Sequence, residues 1–134
     1  KPVTSAAPSP PARSETVLVV EDEEGVRRLV AMVLRRRGFR VLEAIDGSEA
    51  LGVLDREGDS VRLVVTDVIM PQMNGRELAE QIAKKHPALR VLFMSGYAEG
   101  MTEDALPIPG AALLQKPFDP ATLWSTVERL LSQA

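Results

Sequence analysis

The chain has 134 residues, enough for one ordinary domain and too few for two. With 45% hydrophobic and 26% charged residues it has the make-up of a globular protein, and no apolar run approaches the ~20 residues of a membrane span. A net charge of −3 and a pI near 5.2 argue against a nucleic-acid module, and the lack of cysteine excludes disulfides and thiolate metal sites, as suits a cytoplasmic setting.

Residues 1–15 (KPVTSAAPSPPARSE) are mostly Pro, Ala and Ser, with almost no core-forming side chain. Prolines 2, 8, 10 and 11 favour extended backbone, and the segment reads as an interdomain linker. Because the chain starts at Lys1 and not Met, it is expected to be a piece of a longer protein.

A folded domain is expected over residues 16–134. Val17-Leu18-Val19-Val20 is a short apolar run suited to a strand buried on both faces. Val26, Leu29, Val30, Val33 and Leu34 then recur at helical spacing, with Gly38 as the closing residue. Val41-Leu42 predicts a second strand, and Asp46-Gly47 leads into a helix carrying Ala50, Leu51 and Leu54. Val61 to Val65 predicts a third strand, and Leu78, Ile82 and Ala83 a helix ending at His86-Pro87. Val91 to Met94 and Ala111 to Leu114 predict strands four and five. Asp119-Pro120 is an N-cap and first-turn pair for a last helix with Leu123, Val127, Leu130 and Leu131 inward. This alternation implies an α/β fold, with a parallel sheet covered on both faces and right-handed crossovers.

In such a sheet, ligands sit beyond the carboxyl ends of the strands. The residues there are Glu21, Asp22 and Glu23 after strand one, Asp67 after strand three, Ser95 after strand four and Lys116-Pro117 after strand five. Carboxylates gathered at one edge raise one another's pKa, and Lys116 is expected to neutralise only one of them. A hard divalent cation would resolve the conflict, since Mg²⁺ takes oxygen ligands from one or two carboxylates and a phosphate. Asp67 beside that cation and Lys116 has the parts that phosphoryl transfer needs.

The segments VLVVEDE, VVTDVIMPQMNG, FMSGYAE and LQKPF resemble the four signature blocks of the two-component receiver family, in its order and approximate spacing. The resemblance covers residues 16–134 and implies a flavodoxin-like, doubly wound five-stranded sheet of order 2-1-3-4-5. It further implies Asp67 as phosphoacceptor, Glu21 and Asp22 as the acidic pair at Mg²⁺, and the main-chain carbonyl of Ile69 as the last protein ligand. Ser95 would be the switch hydroxyl, Lys116 the phosphate-binding lysine, and the Lys116–Pro117 bond would be cis. The implied partner is the phosphohistidine of a sensor kinase or phosphotransfer domain, with no nucleic acid and no membrane contact. RELAEQI, LFMSGYAEG and LLQKPF are similar in wording to C-terminal receivers of hybrid histidine kinases, which implies a kinase region upstream.

Taken singly, each residue has a plainer reading: acids at a helix start, a turn aspartate, a post-strand Ser-Gly, a loop Lys-Pro. Arg35-Arg36-Arg37 reads as a solvated helix end, His86 as a helix-terminating surface residue, and Trp124 as partial core or interface. Met70, Pro71 and Met73 read as loop packing. An Asp-nucleophile phosphatase fits poorly, since its nucleophile follows strand one with a second acid two residues on, where this chain has Ile69. A pseudo-receiver, binding partners without phosphate, is opposed by the intact Asp22, Asp67 and Lys116. A flavodoxin-like nucleotide binder lacks its glycine-rich loop after strand one.

Two departures stand out. Leu113 occupies the position three before the lysine where many receivers carry Phe or Tyr. Residues 98–110 contain Gly100, Pro107, Pro109 and Gly110, so the fourth helix is expected to be short or irregular. Ile69 and Tyr97, both bulky, would flank the approach of water to a phosphoryl group and slow its loss.

Overall fold

Val17, Leu18, Val19 and Val20 are wholly buried, which is possible only for a strand covered on both faces. The computed structural model describes residues 15–58, 60–68, 73–96 and 111–132. Their elements are β1 (Thr16–Val20), α1 (Glu24–Arg36), β2 (Arg40–Ala44), α2 (Gly47–Glu57), β3 (Val61–Asp67), α3 (Gly75–Lys85), β4 (Arg90–Ser95), β5 (Ala112–Gln115) and α4 (Pro120–Ser132). The five strands are all parallel, in the order β2-β1-β3-β4-β5. The expected architecture is therefore the observed one. The linker and the fourth-helix segment at 98–110 lie outside the described residues, apart from Glu15.

Alternation along the strands splits the core in two. Val17, Val19, Leu63, Val65, Leu92 and Met94 pack under α1 and α4, through residues such as Val30, Leu34, Leu123 and Val127. Leu18, Val20, Val64, Val91 and Phe93 pack under α2 and α3, with Ala50, Leu54, Leu78 and Ile82. Side chains caps start three of the helices. Asp46 accepts from Glu49 N, Asn74 and Glu77 form a reciprocal capping box, and Asp119 accepts from Thr122 N. Gly38 ends the first helical segment with φ 96°, a left-handed conformation that costs glycine nothing.

Several local expectations need correction. Leu29 is 50% exposed: it lies about 100° round α1 from Val30, off the arc made by Val30, Ala31, Val33 and Leu34. In α3 it is Ala79 that is buried, while Ala83 falls past the inward arc. β3 runs on to Asp67, so the acid sits in the strand and not after it. The Arg35-Arg37 run is not simply solvated. Arg35 bonds Glu43 and the Val41 carbonyl, and the Arg37 guanidinium lies 3.8 Å from the centre of the half-buried Trp124 ring.

Candidate functional site

Four strands deliver the site, and each delivers its residue through the backbone ladder. Glu21 N donates to Ala44 O at 3.1 Å, carrying the β1–β2 pairing one residue past the strand and leaving Glu21 only 1% exposed. Asp67 is the last residue of β3 and is 6% exposed. Ser95 ends β4 at 2% exposure, with its hydroxyl donating to the Gly96 carbonyl at 3.1 Å. Lys116 follows β5, its N–H bonded to Ser95 O at 2.7 Å, and the Lys116–Pro117 bond is cis.

The side chains converge. Lys116 Nζ lies 3.1 Å from Glu21 Oε1 and 3.3 Å from Asp67 Oδ2. The lysine thus bridges two acids while its single charge offsets only one of them, as expected from sequence. Asp22, exposed to solvent, completes the cluster: Glu21, Asp22 and Asp67 each offer an oxygen within 4.8 Å of the others. Five of the residues singled out from sequence are thereby brought to one edge. Ile69 and Tyr97 lie outside the described residues.

The electrostatics follow from this crowding. Burial, reinforced by the Asp67 charge, pushes the Glu21 carboxyl up to about 7, against the Glu23 N–H and Lys116, which favour its ionised form. Burial disfavours the Lys116 ammonium too, but Glu21 and Asp67 outweigh it and hold its pKa above the ordinary lysine value. Three carboxylates with one ammonium leave a surplus of negative charge in a mostly buried, all-oxygen donor set. That set fits a hard divalent cation and offers nothing to a soft one.

Backbone contacts invisible in the sequence fix Asp67 itself. Val68 N donates both to Met94 O at 3.0 Å and to Asp67 Oδ1 at 2.9 Å, so the carboxylate is turned with Oδ2 toward Lys116. The Val68 carbonyl in turn accepts from Gly75 N at 2.7 Å. A Cβ on Gly75 would overlap the Asp67 carbonyl oxygen and come within 3.0 Å of Val68 Cα. A Cβ on Gly47, the first residue of α2, would come within 2.8 Å of Met73 Sδ, a side chain that can shift where backbone cannot. The only hint in the sequence was Asn74-Gly75 inside the MPQMNG segment.

Comparison with known proteins agrees with this geometry. A family profile described as "Response regulator receiver domain" matches residues 17–128. Sensor kinase CckA of Brucella abortus is 41% identical over 121 residues, covering 90% of this chain and 13% of that protein. Response regulator receiver protein CpdR of the same organism is 32% identical over 119 residues, covering 88% of this chain and 98% of the relative. Among solved structures, the receiver domain from hybrid histidine kinase CckA superposes with a TM-score of 0.74 at 35% identity, covering 87% of this chain and 98% of that one.

Proposed function

The chain belongs to the response regulator receiver domain family, phosphoacceptors of two-component systems, and we propose that Asp67 is its phosphoacceptor. The observation that carries this reading is the buried Asp67 carboxylate, oriented by Val68 N–H and faced by Lys116 at 3.3 Å. An Asp67 oxygen attacks phosphorus in line, the new O–P bond forms as the donor's P–N bond breaks, and the bonding pair leaves with the imidazole. Lys116 stays beside the acyl phosphate and takes up charge on its oxygens. Ser95 turns its hydroxyl from the Gly96 carbonyl toward the phosphoryl group, and this movement starts the conformational response.

Glu21, Asp22, Asp67 and the Ile69 main-chain carbonyl would hold Mg²⁺, which supplies charge neutralisation to the transferring phosphoryl group. The donor is a phosphohistidine on a sensor kinase or phosphotransfer domain. Likeness to CckA over 13% of that protein's length supports a hybrid sensor kinase as the parent chain. Mg²⁺ and acetyl phosphate should add one phosphoryl group, read by intact mass, and Asp67→Asn should add none. Equal labelling of the variant defeats the assignment.

A further inference from the structure

α1 differs from the other described helices at its start: its N-cap residue, Glu23, makes no side-chain capping bond, whereas α2, α3 and α4 are capped by Asp46, Asn74 and Asp119. The turn before it carries Glu21 and Asp22. What ties that turn down is Arg27, one turn into α1, whose Nη1 donates to the Glu21 carbonyl at 3.1 Å. Its Nε donates to Glu43 Oε1 on β2 at 3.2 Å, and Glu43 Oε2 in turn pairs with Arg35 at 3.1 Å. The Arg27 side chain is only 13% exposed.

We propose that Arg27 is a positioning residue for the acidic pair, setting the plane of the Glu21–Asp22 peptide so that both carboxylates address one cation. This rests on the reading of Glu21, Asp22 and Asp67 as a Mg²⁺ site. The Glu21 carbonyl belongs to the peptide that leads into Asp22. Anchoring its oxygen therefore fixes how the Asp22 backbone enters the turn. Glu21 is held from its other side by Ala44 O, and its Oε2 accepts from Glu23 N at 3.1 Å. Among the described residues no hydrogen bond or ion pair of the exposed Asp22 side chain is found, and this backbone frame is what aims it. The guanidinium suits the task because its fixed fork serves a carbonyl and a carboxylate at once; an ammonium offers a single point.

Charge and positioning predict opposite outcomes. By charge alone, removing a cation near the acids should tighten Mg²⁺ binding. By positioning, it should loosen it, on the order of tenfold, the scale of outer partners that orient metal ligands. The experiment is a Mg²⁺ titration followed by amide NMR shifts in wild type, Arg27→Gln and Arg27→Lys, with melting in EDTA alongside. The expected result is weaker binding in Arg27→Gln and a smaller loss in Arg27→Lys, at unchanged saturating shifts for Asp67. Wild-type or tighter affinity in Arg27→Gln overturns the proposal, and Arg27→Lys decides on the same terms if the glutamine variant does not fold. Lack of saturable shifts in the wild type would instead overturn the Mg²⁺ site itself.

Discussion

The two ends of the sheet treat ion pairs in opposite ways. At the amino end, Arg40 and Glu57 meet at 3.2 Å with both side chains partly in water, and Arg37 pairs with Glu128 at 3.5 Å while lying on Trp124. Each of these two guanidiniums faces one acid, and surface pairs of this kind contribute roughly 0–1 kcal/mol. At the carboxyl end, Lys116 faces two buried acids, with a third beside them. Burying carboxylates without full compensation costs stability, and on the proposed reading a further cation and the transferred phosphoryl group supply that compensation. Pairs at the amino end join α2 to β2 and the end of α1 to α4; those at the carboxyl end, on the proposed reading, set positions for chemistry.

If position governs the carboxyl end, the largest effect should come from the smallest intrusion. Gly75→Ala places a methyl against the Asp67 carbonyl and Val68 Cα, backbone atoms that cannot swing aside. It should destabilise by about 1–3 kcal/mol, the usual cost of overpacking, and slow acetyl-phosphate labelling of the folded fraction. Gly52→Ala is the control. It sits inside α2 with only the tip of Arg56 within 4 Å, and should stabilise by roughly 0.5–1 kcal/mol with normal labelling. Urea midpoints and labelling time courses measure both; normal stability and labelling in Gly75→Ala would break the contrast.

How much of this was legible beforehand also divides by region. Strand runs are apolar and short because both faces are covered, so the sheet, its helices and the site edge could be read from one-dimensional pattern. Glu21, Asp22, Asp67, Ser95 and Lys116 stood out because each follows or ends an apolar run. Particular side-chain pairs could not be read. The Arg27–Glu43 pair joins residues 16 apart with no periodicity to announce it, and Lys116, expected among the strand-end carboxylates, could not be assigned to Glu21, 95 residues away. The same holds for Gly75, whose need is set by Asp67 backbone it meets only after folding. Leu29 is exposed because an apolar residue at helical spacing need not lie within the buried arc.

A second, smaller effect concerns pH. In the metal-free domain Glu21 titrates near 7 folded against 4.5 as an ordinary glutamate, so the folded state holds its proton more tightly. The stability this gives is fully present below 4.5 and is lost as pH rises through about 7. Lys116, with its pKa raised above 10.5, stays charged across that window and leaves the sign unchanged. Urea midpoints in EDTA should therefore fall between pH 5 and 8 more steeply for wild type than for Glu21→Gln. Saturating Mg²⁺, which binds the ionised form, should remove the wild-type fall. Identical slopes in EDTA would remove Glu21 as the source.

The smallest effect belongs to the amino end and tests the other half of the contrast. Arg37 follows α1 directly, and its guanidinium lies on Trp124 of α4 with Glu128, one turn on, as its acidic partner. Because the ring and the aliphatic stem are partly covered, most of the stacking energy should survive added salt, while the ion pair should not. Arg37→Met keeps an apolar stem over the ring and removes the charge. It should cost about 0.5–1 kcal/mol, the scale of a partly exposed cation–π contact, with a reduced but not abolished deficit at high salt. Trp124 fluorescence reports the same unfolding event, so one urea titration reads both stability and the loss of the stacked cation. Mg²⁺ affinity and labelling at Asp67 should not change, since the pair lies at the far end of the sheet. A shift in Mg²⁺ affinity comparable to that expected for Arg27 would mean that the two ends are energetically joined through α1, and that the division between holding and positioning does not stand.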